Sequence, residues 1–315
     1  MATYDQTMKM ACDKAYHATD EKDNLDLQGF AKEDFLFIHE LDAIVASRTN
    51  KWTKGVNGLT SLTCGCMFGG KSNSLAQQLI TLAVAERRVL FLNFPKDARF
   101  SLAQGIKTHH GYLMGTNSHQ NLRMYDIEPT TISQFVAGEI PLPIRGMDVI
   151  GMDELHFYKR RKEDERPGNI ESDLIKLTFH VVDLWNIQFY VGGINFWANG
   201  TPVRQIECIR LTNPEIVTYI NAICERCNCE KATRNVIRKD FDALSNPEKM
   251  DANDLVVKEA KVMVGARDVY LPLCRSCHVK ANLNAINNLA PEDGTDQLFK
   301  ILYPIVTDHL KEPNV

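Results

Sequence analysis

Eight consecutive residues, Gly65-Cys-Met-Phe-Gly-Gly-Lys-Ser72, have the G-x-x-x-x-G-K-[ST] spacing of a phosphate-binding loop. The residue types follow from what an anion requires. Gly65, Gly69 and Gly70 let the amides of Cys66, Met67, Phe68 and their neighbours face phosphate oxygens with no Cβ in the way. The helix that follows aims its positive end at the same place. Lys71 reaches the outer phosphates of a nucleoside triphosphate, and Ser72 offers a hydroxyl to magnesium. A chance glycine-rich turn would lack the flanks seen here. Leu59–Cys64 is an apolar run that reads as a strand. Ser72–Arg88 repeats Leu75, Leu79 and Leu82 on one helical face.

A second polar group closes another apolar run. Asp153-Glu154 follows Met147–Met152, and in an α/β sheet the ends of strands carry the ligand. One acid there can hold magnesium through water, and the other can take a proton from an attacking hydroxyl. Strand-end acids are common, so the pair gains its weight from the phosphate loop.

A third group is built for a metal. Cys224-Glu-Arg-Cys227 and Cys274-Arg-Ser-Cys277 are two C-x2-C pairs, and four thiolates make a closed tetrahedral zinc site. The separation of the pairs means that a loop projects from the site. Cys229 and His278 flank the pairs and could each replace a ligand. Buried unpaired thiols and a redox C-x-x-C are the alternatives.

These groups need elements to position them. Val89–Phe94, ended by Pro95, reads as a buried strand, as do Met147–Met152 and Ile187–Phe196. Glu215–Ile223 reads as another strand, Leu174–Leu184 as a helix, and Gln297–Leu310 as an amphipathic helix in the tail. Strands alternating with helices predict an α/β layered domain with a mainly parallel sheet. Residues 1–57 are polar and weakly patterned; only Phe35–Leu41 suggests a helix. Residues 159–169 mix both signs of charge and read as a solvated loop, and residues 239–261 as a polar insertion between the cysteine pairs.

Composition bounds the rest. The chain has 315 residues, 44% hydrophobic and 24% charged, with a formal net charge of -4. That is globular composition, without the basic footprint of nucleic-acid or anionic-membrane binding. No apolar run approaches a membrane span, and the N-terminus has no signal core, so a reducing cytoplasmic setting is expected. The nine cysteines then read as thiols and metal ligands rather than disulfides.

In their order along the chain, these features resemble the zinc-bearing (type II) thymidine kinases. The resemblance rests on the phosphate loop with Met-Phe before its Gly-Gly-Lys-Ser, on Asp153-Glu-Leu-His-Phe157, and on the late cysteine pairs. Lys96-Asp-Ala-Arg-Phe100 is similar to the family's K-D-[TA]-R-[YF], and Thr108-His-His-Gly111 to its [ST]-H-x-G. Ala222-Ile-Cys224 and Tyr270-Leu-Pro-Leu-Cys274 match the zinc-flanking segments.

The resemblance implies a P-loop, RecA-like sheet with helices on both faces and a small zinc-binding lasso domain. Its boundaries would be an N-terminal extension at 1–57, an ATP-binding kinase domain at 58–220, the lasso at 221–280 and a helical tail at 281–315. It implies transfer of the γ-phosphoryl group of ATP to the 5′-hydroxyl of thymidine, with deoxyuridine also used. The alternatives are a kinase for another nucleoside and a catalytically silent nucleotide-binding protein. Glu154 would be the base, Lys71 and the loop amides would hold the triphosphate, Arg99 would stabilise charge on the transferring phosphoryl group, and Ser72 and Asp97 would serve magnesium, with Asp153 reaching it through water. Met67, Phe157, Asn235, Gly265 and Tyr270 would surround a pyrimidine deoxynucleoside. Zinc would be structural, on Cys224, Cys227, Cys274 and Cys277, and the assembly a homotetramer. The chain departs from the family at Gly69, where a serine is usual. It also departs at Gly192–Phe196, at Ala266, and at Asn235, which stands where the family places a threonine beside the thymine methyl group.

Overall fold

The structure is a computed structural model that describes residues 28–48, 58–94, 100–101, 105–107, 113–114, 120–158, 170–198, 202–237 and 269–279. The chain divides into two compact units. The first takes Met1–Leu62, Asn73–Gly192 and Cys208–Val217; the second takes Thr63–Ser72, Gly193–Glu207 and Thr218–Val315.

In chain order the elements are α1 (Ile38–Arg48), β1 (Thr60–Gly65), α2 (Lys71–Val84) and β2 (Val89–Asn93). Three short strands follow, β3 (Phe100–Ser101), β4 (Gly105–Lys107) and β5 (Leu113–Met114). Next come β6 (Leu122–Asp126), α3 (Thr131–Val136), β7 (Val149–Met152), α4 (Ile170–Thr178) and β8 (Gln188–Ile194). The last are α5 (Arg204–Leu211), β9 (Ile216–Ile220), β10 (Ala232–Ile237) and β11 (Tyr270–Cys274). The main sheet has six strands in the order β6-β2-β7-β8-β1-β9. The β6-β2, β2-β7 and β7-β8 pairs are parallel. Phe189 N–H donates to Leu59 O, and six residues on Asn195 N–H donates to Gly65 O, so β1 runs parallel to β8 as well. The α/β class expected from the apolar runs is the one observed. β3, β4 and β5 form a separate small antiparallel sheet.

The first unit holds most of this sheet. Every residue of β2 and β7 is buried, as expected of central parallel strands covered on both faces. On one face, Leu75, Ala76, Leu79 and Ala83 of α2 pack on Val89, Phe91, Leu122, Met124 and Val149. Side chains alternate across a strand, so Arg123 and Tyr125 of β6 point to the opposite face from Met124. That face is met by residues 28–48. Phe30 and Phe35 lie edge-on to Tyr125, with ring centroids 5.8 and 5.5 Å away. The Arg123 guanidinium sits 3.6 Å from the Phe30 ring centroid and pairs with Asp34 at 3.0 Å. Leu36 forms a β-bridge with Leu142, and Asp42 accepts a hydrogen bond from Trp185 Nε1 at 2.8 Å. Residues 28–48, set apart in the sequence reading as part of an extension, thus pack into the core of the first unit.

Leu174–Leu184 was expected to be one helix. The structure has α4 followed by a π-helical turn over Phe179–Leu184. In the second unit β10 pairs antiparallel with β11, from Ala232 opposite Cys274 to Ile237 opposite Tyr270, with a bulge between Ala232 and Arg234. The charged loop at 159–169 and the tail helix at Gln297–Leu310 lie outside the described residues. So does all of the polar insertion between the cysteine pairs. No helix among the described residues is long and apolar enough to cross a membrane.

Candidate functional site

The phosphate loop belongs to the second unit. It begins where β1 ends and finishes in the first turn of α2. Gly65 is required by close approach, since a Cβ there would run into the carbonyl oxygen of Ile220. Phe68 has φ +63°, a left-handed conformation that a non-glycine residue holds only under local constraint. Lys71 is only 7% exposed, and its Nζ donates to the Cys66 carbonyl at 2.7 Å, so the ammonium is held against the loop. Burial pushes the Cys66 thiol above its ordinary pKa. It stays a neutral donor, to Ala232 O at 3.0 Å.

Asn235 is the loop's main tie. Its Oδ1 accepts from Met67 N–H at 2.7 Å, and its Nδ2 donates to Phe196 O at 2.9 Å. It is 2% exposed, so both ends of the amide are used inside the protein. Asn235→Ala should therefore lower stability by about 1–3 kcal/mol, because it leaves buried groups without their partner. The check is the melting temperature of the nucleotide-free protein; an unchanged value would show that the tie carries no weight.

Asp153 and Glu154 belong to the first unit, where β7 ends. Asp153 is buried, and its Oδ1 accepts the Glu154 N–H at 2.8 Å. Gly192 on the neighbouring strand makes room for that carboxylate: a Cβ there would lie 2.6 Å from Asp153 Oδ1. Glu154 has φ +52°, in the left-handed region. Such a residue costs on the order of 1–3 kcal/mol and persists where its surroundings hold it. Here Phe157 N–H bonds Glu154 O at 2.8 Å. His156 Nδ1 also stands 3.4 Å from Glu154 Oε2, while its ring lies 4.4 Å from that of Phe157. His156 was not singled out from sequence; its place two residues after a candidate base was the available signal.

Tyr270 opens β11 opposite Ile237. Asp97, Arg99 and Gly265 lie outside the described residues.

The metal-binding geometry is in the second unit. The Sγ atoms of Cys224, Cys227, Cys229 and Cys274 all lie within 4.8 Å of one another. Cys227 and Cys274 are 3.7 Å apart, sulfur to sulfur. Tetrahedral Zn–S bonds of about 2.3 Å place sulfurs roughly 3.8 Å apart, so the donor set fits zinc. The sequence reading had Cys277 where this group has Cys229. A tight turn brings Cys229 in: Asn228 has φ +57°, Asn228 N–H donates to Cys224 O and Cys224 N–H to Cys229 O, both at 2.8 Å. Counting C-x2-C pairs passes over this third thiol of one knuckle. Hydrogen bonds from the Cys229 backbone and then from neighbouring thiols lower the Cys227 pKa to about 6. Burial and then the surrounding thiols push Cys277 up to about 12. His278 does not join the group. Burial, then Arg234, holds its pKa at about 4, so the ring is neutral.

A phosphate loop between a buried parallel strand and the helix it opens places the chain among the P-loop α/β nucleotide-binding proteins. Residues 58–278 match the family model for thymidine kinase. The chain belongs to the thymidine kinase family. It is 25% identical to the thymidine kinase of Mycoplasma capricolum subsp. capricolum over 242 residues, covering 76% of this chain and 95% of that protein. It is 24% identical, over the same shares, to the thymidine kinase of Mycoplasma mycoides subsp. mycoides SC.

Proposed function

We propose that this chain is an ATP-dependent thymidine kinase, which moves the γ-phosphoryl group of ATP to the 5′-hydroxyl of thymidine, giving dTMP and ADP. The observation that carries the reading is the Gly65–Ser72 loop, with Lys71 buried and bonded to Cys66 O, in a chain of this family. In this reading the loop amides and Lys71 hold the triphosphate. Glu154 takes the proton of the 5′-hydroxyl, and Arg99 stabilises charge on the phosphoryl group in transfer. Mg2+ bound with ATP would supply charge neutralisation at the phosphates. Ser72 and Asp97 would offer the hard oxygen donors that magnesium takes, and Asp153 would reach it through water. Cys224, Cys227 and Cys274 would hold a structural zinc together with a fourth thiolate. The assembly is a homotetramer, and the setting is cytoplasmic.

By the family resemblance, Met67, Phe157, Gly265 and Tyr270 are the residues assigned to the base. Asn235 acts on this pocket through the backbone of Met67, which it fixes. Thymine and uracil present the same hydrogen-bonding edge and differ by one methyl group, worth about 1–3 kcal/mol in an apolar pocket. Cytosine reverses a donor–acceptor pair and would leave buried groups unpaired. Thymidine and deoxyuridine are therefore both substrates, with thymidine ahead by roughly tenfold and deoxycytidine far behind. Side-by-side kcat/KM values for the three nucleosides with ATP test this. A preference for deoxycytidine or a purine nucleoside would replace the reading with a kinase for that nucleoside. Absence of ATP turnover with every nucleoside would leave a nucleotide-binding protein without catalysis.

A further inference from the structure

A carboxylate base has two oxygens, and only one of them faces the hydroxyl. The end of a Glu side chain turns on a broad two-fold torsion, and an unrestrained Glu spreads over many rotamers. A base has its effect only with an oxygen within about 2.6–3.2 Å of the proton it takes. The backbone of Glu154 is fixed, with its N–H on Asp153 Oδ1 and its carbonyl on Phe157 N–H, both at 2.8 Å. Its side chain is met by His156. Leu155–Phe157 is a single 3-10 turn, capped by Glu154 in the left-handed conformation. The turn brings the side chain of its middle residue beside that of its cap, and His156 Nδ1 lies 3.4 Å from Glu154 Oε2. Both side chains are largely buried, 8% and 14% exposed. The imidazole also lies against Phe157, with ring centroids 4.4 Å apart and planes 38° from parallel. Its place is therefore set by packing as well as by the turn.

We propose that His156 is a positioning residue for the general base: Nδ1–H donates to Glu154 Oε2 and leaves the other oxygen to the 5′-hydroxyl. This rests on Glu154 being the base. At 3.4 Å the contact is longer than a formed hydrogen bond of about 2.7–3.2 Å, and contacts of a catalytic base tighten in the Michaelis complex. A neutral ring with its hydrogen on Nδ1 suffices, so no change of charge is needed. As the 5′-oxygen bonds to the γ-phosphorus and the bond to ADP breaks, the hydroxyl proton passes to Glu154 Oε1. His156 keeps its own proton and touches neither substrate. Because its ring leans on Phe157, a residue assigned to the nucleobase, it ties the carboxylate to the wall of the nucleoside's seat.

The test uses the full-length enzyme with thymidine and ATP, carrying His156→Ala, His156→Phe, His156→Asn or Glu154→Gln, and His156→Phe combined with Glu154→Gln. Alanine removes ring and nitrogen. Phenylalanine keeps a ring against Phe157 and removes the nitrogen. Asparagine removes the ring and sets an amide nitrogen near the place of Nδ1. Misplacing a reacting group by about 1 Å costs up to about a hundredfold, so Ala and Phe should each lower kcat by about tenfold. KM for ATP should stay within about twofold, and Asn should recover most of the loss in kcat. On top of Glu154→Gln, where no base is left to position, His156→Phe should cost less than about a further twofold. Normal turnover in His156→Phe overturns the proposal, as does an Asn variant as slow as the Phe variant. A full further tenfold loss on top of Glu154→Gln marks a packing role and overturns it too. Should the Ala variant fail to fold, the Phe and Asn variants decide. Near-normal turnover in Glu154→Gln, or no nucleoside turnover by the unaltered protein, overturns the reading of Glu154 and this proposal with it. A slow Glu154→Gln beside a normal His156→Phe overturns the proposal alone.

Discussion

Glu154→Gln is expected to lower kcat by about 10²–10⁴-fold, the usual worth of a positioned general base. That is a barrier increase of roughly 3–5 kcal/mol. The substitution keeps the side chain's size and removes only its capacity to take a proton. Its N–H remains on Asp153 Oδ1 and its carbonyl on Phe157 N–H, so the left-handed backbone at this position is preserved. The phosphate loop is untouched, and ATP affinity, measured by equilibrium binding, should stay within about threefold, below 1 kcal/mol. Near-normal turnover would remove Glu154 from its role. A fall in turnover with an equal loss of ATP affinity would show a structural rather than a proton-transfer effect.

Removal of residues 1–53 should abolish the folded state. Phe30, Phe35, Leu36, Phe37, Ile38 and Leu41 are all buried. Each such side chain is worth about 1.5–3 kcal/mol against exposure. Their sum is on the order of 10 kcal/mol, comparable with the whole stability of a typical domain, about 5–15 kcal/mol. The truncation would also strip the cover from Tyr125 and Leu142 and leave Arg123 without Asp34. The truncated chain should be insoluble or should lack a cooperative thermal transition. A soluble fragment melting near the intact protein would show that this segment is dispensable.

The same segment marks what could be read from sequence and what could not. β2, β7 and β8 are visible as apolar runs because a central parallel strand is buried on both faces, whereas β1 is buried with Thr60, Ser61 and Thr63 along it. The phosphate loop is visible because its chemistry fixes residue types at fixed spacing. β6 was not read: Leu-Arg-Met-Tyr-Asp interrupts its apolar run with Arg123. That charge makes sense only beside Asp34 and the Phe30 ring, both remote in sequence. For the same reason Phe35–Leu41 looked like an isolated helix in a polar stretch, since its partners lie on β6 and around Leu142. α5 is one short amphipathic piece, Arg-Gln-Ile-Glu-Cys-Ile-Arg-Leu, and gives little periodic signal over so few residues. At the site, Asn235 was read by its place in a family pattern. Its hydrogen bonds to Met67 and Phe196 depend on three segments meeting, which spacing does not encode. Cys229 was noted as a flank, but the turn that folds it back depends on the left-handed Asn228.

On the proposed reading, one strand of the second unit would serve the zinc and the triphosphate together. β10 starts three residues after Cys229. Within four residues it gives the phosphate loop two hydrogen bonds, one from Cys66 Sγ to Ala232 O and one from Met67 N–H to Asn235 Oδ1. At the Ala232 end it pairs with Cys274 itself. An ion that fixes the thiols thereby fixes the carbonyl and the amide against which the loop is shaped. By thermodynamic reciprocity, whatever zinc adds to triphosphate affinity, the triphosphate returns to zinc affinity. A zinc held here would then be more than a staple for a small module: chelation would be felt as a weaker hold on nucleotide, and saturating nucleotide as slower metal exchange.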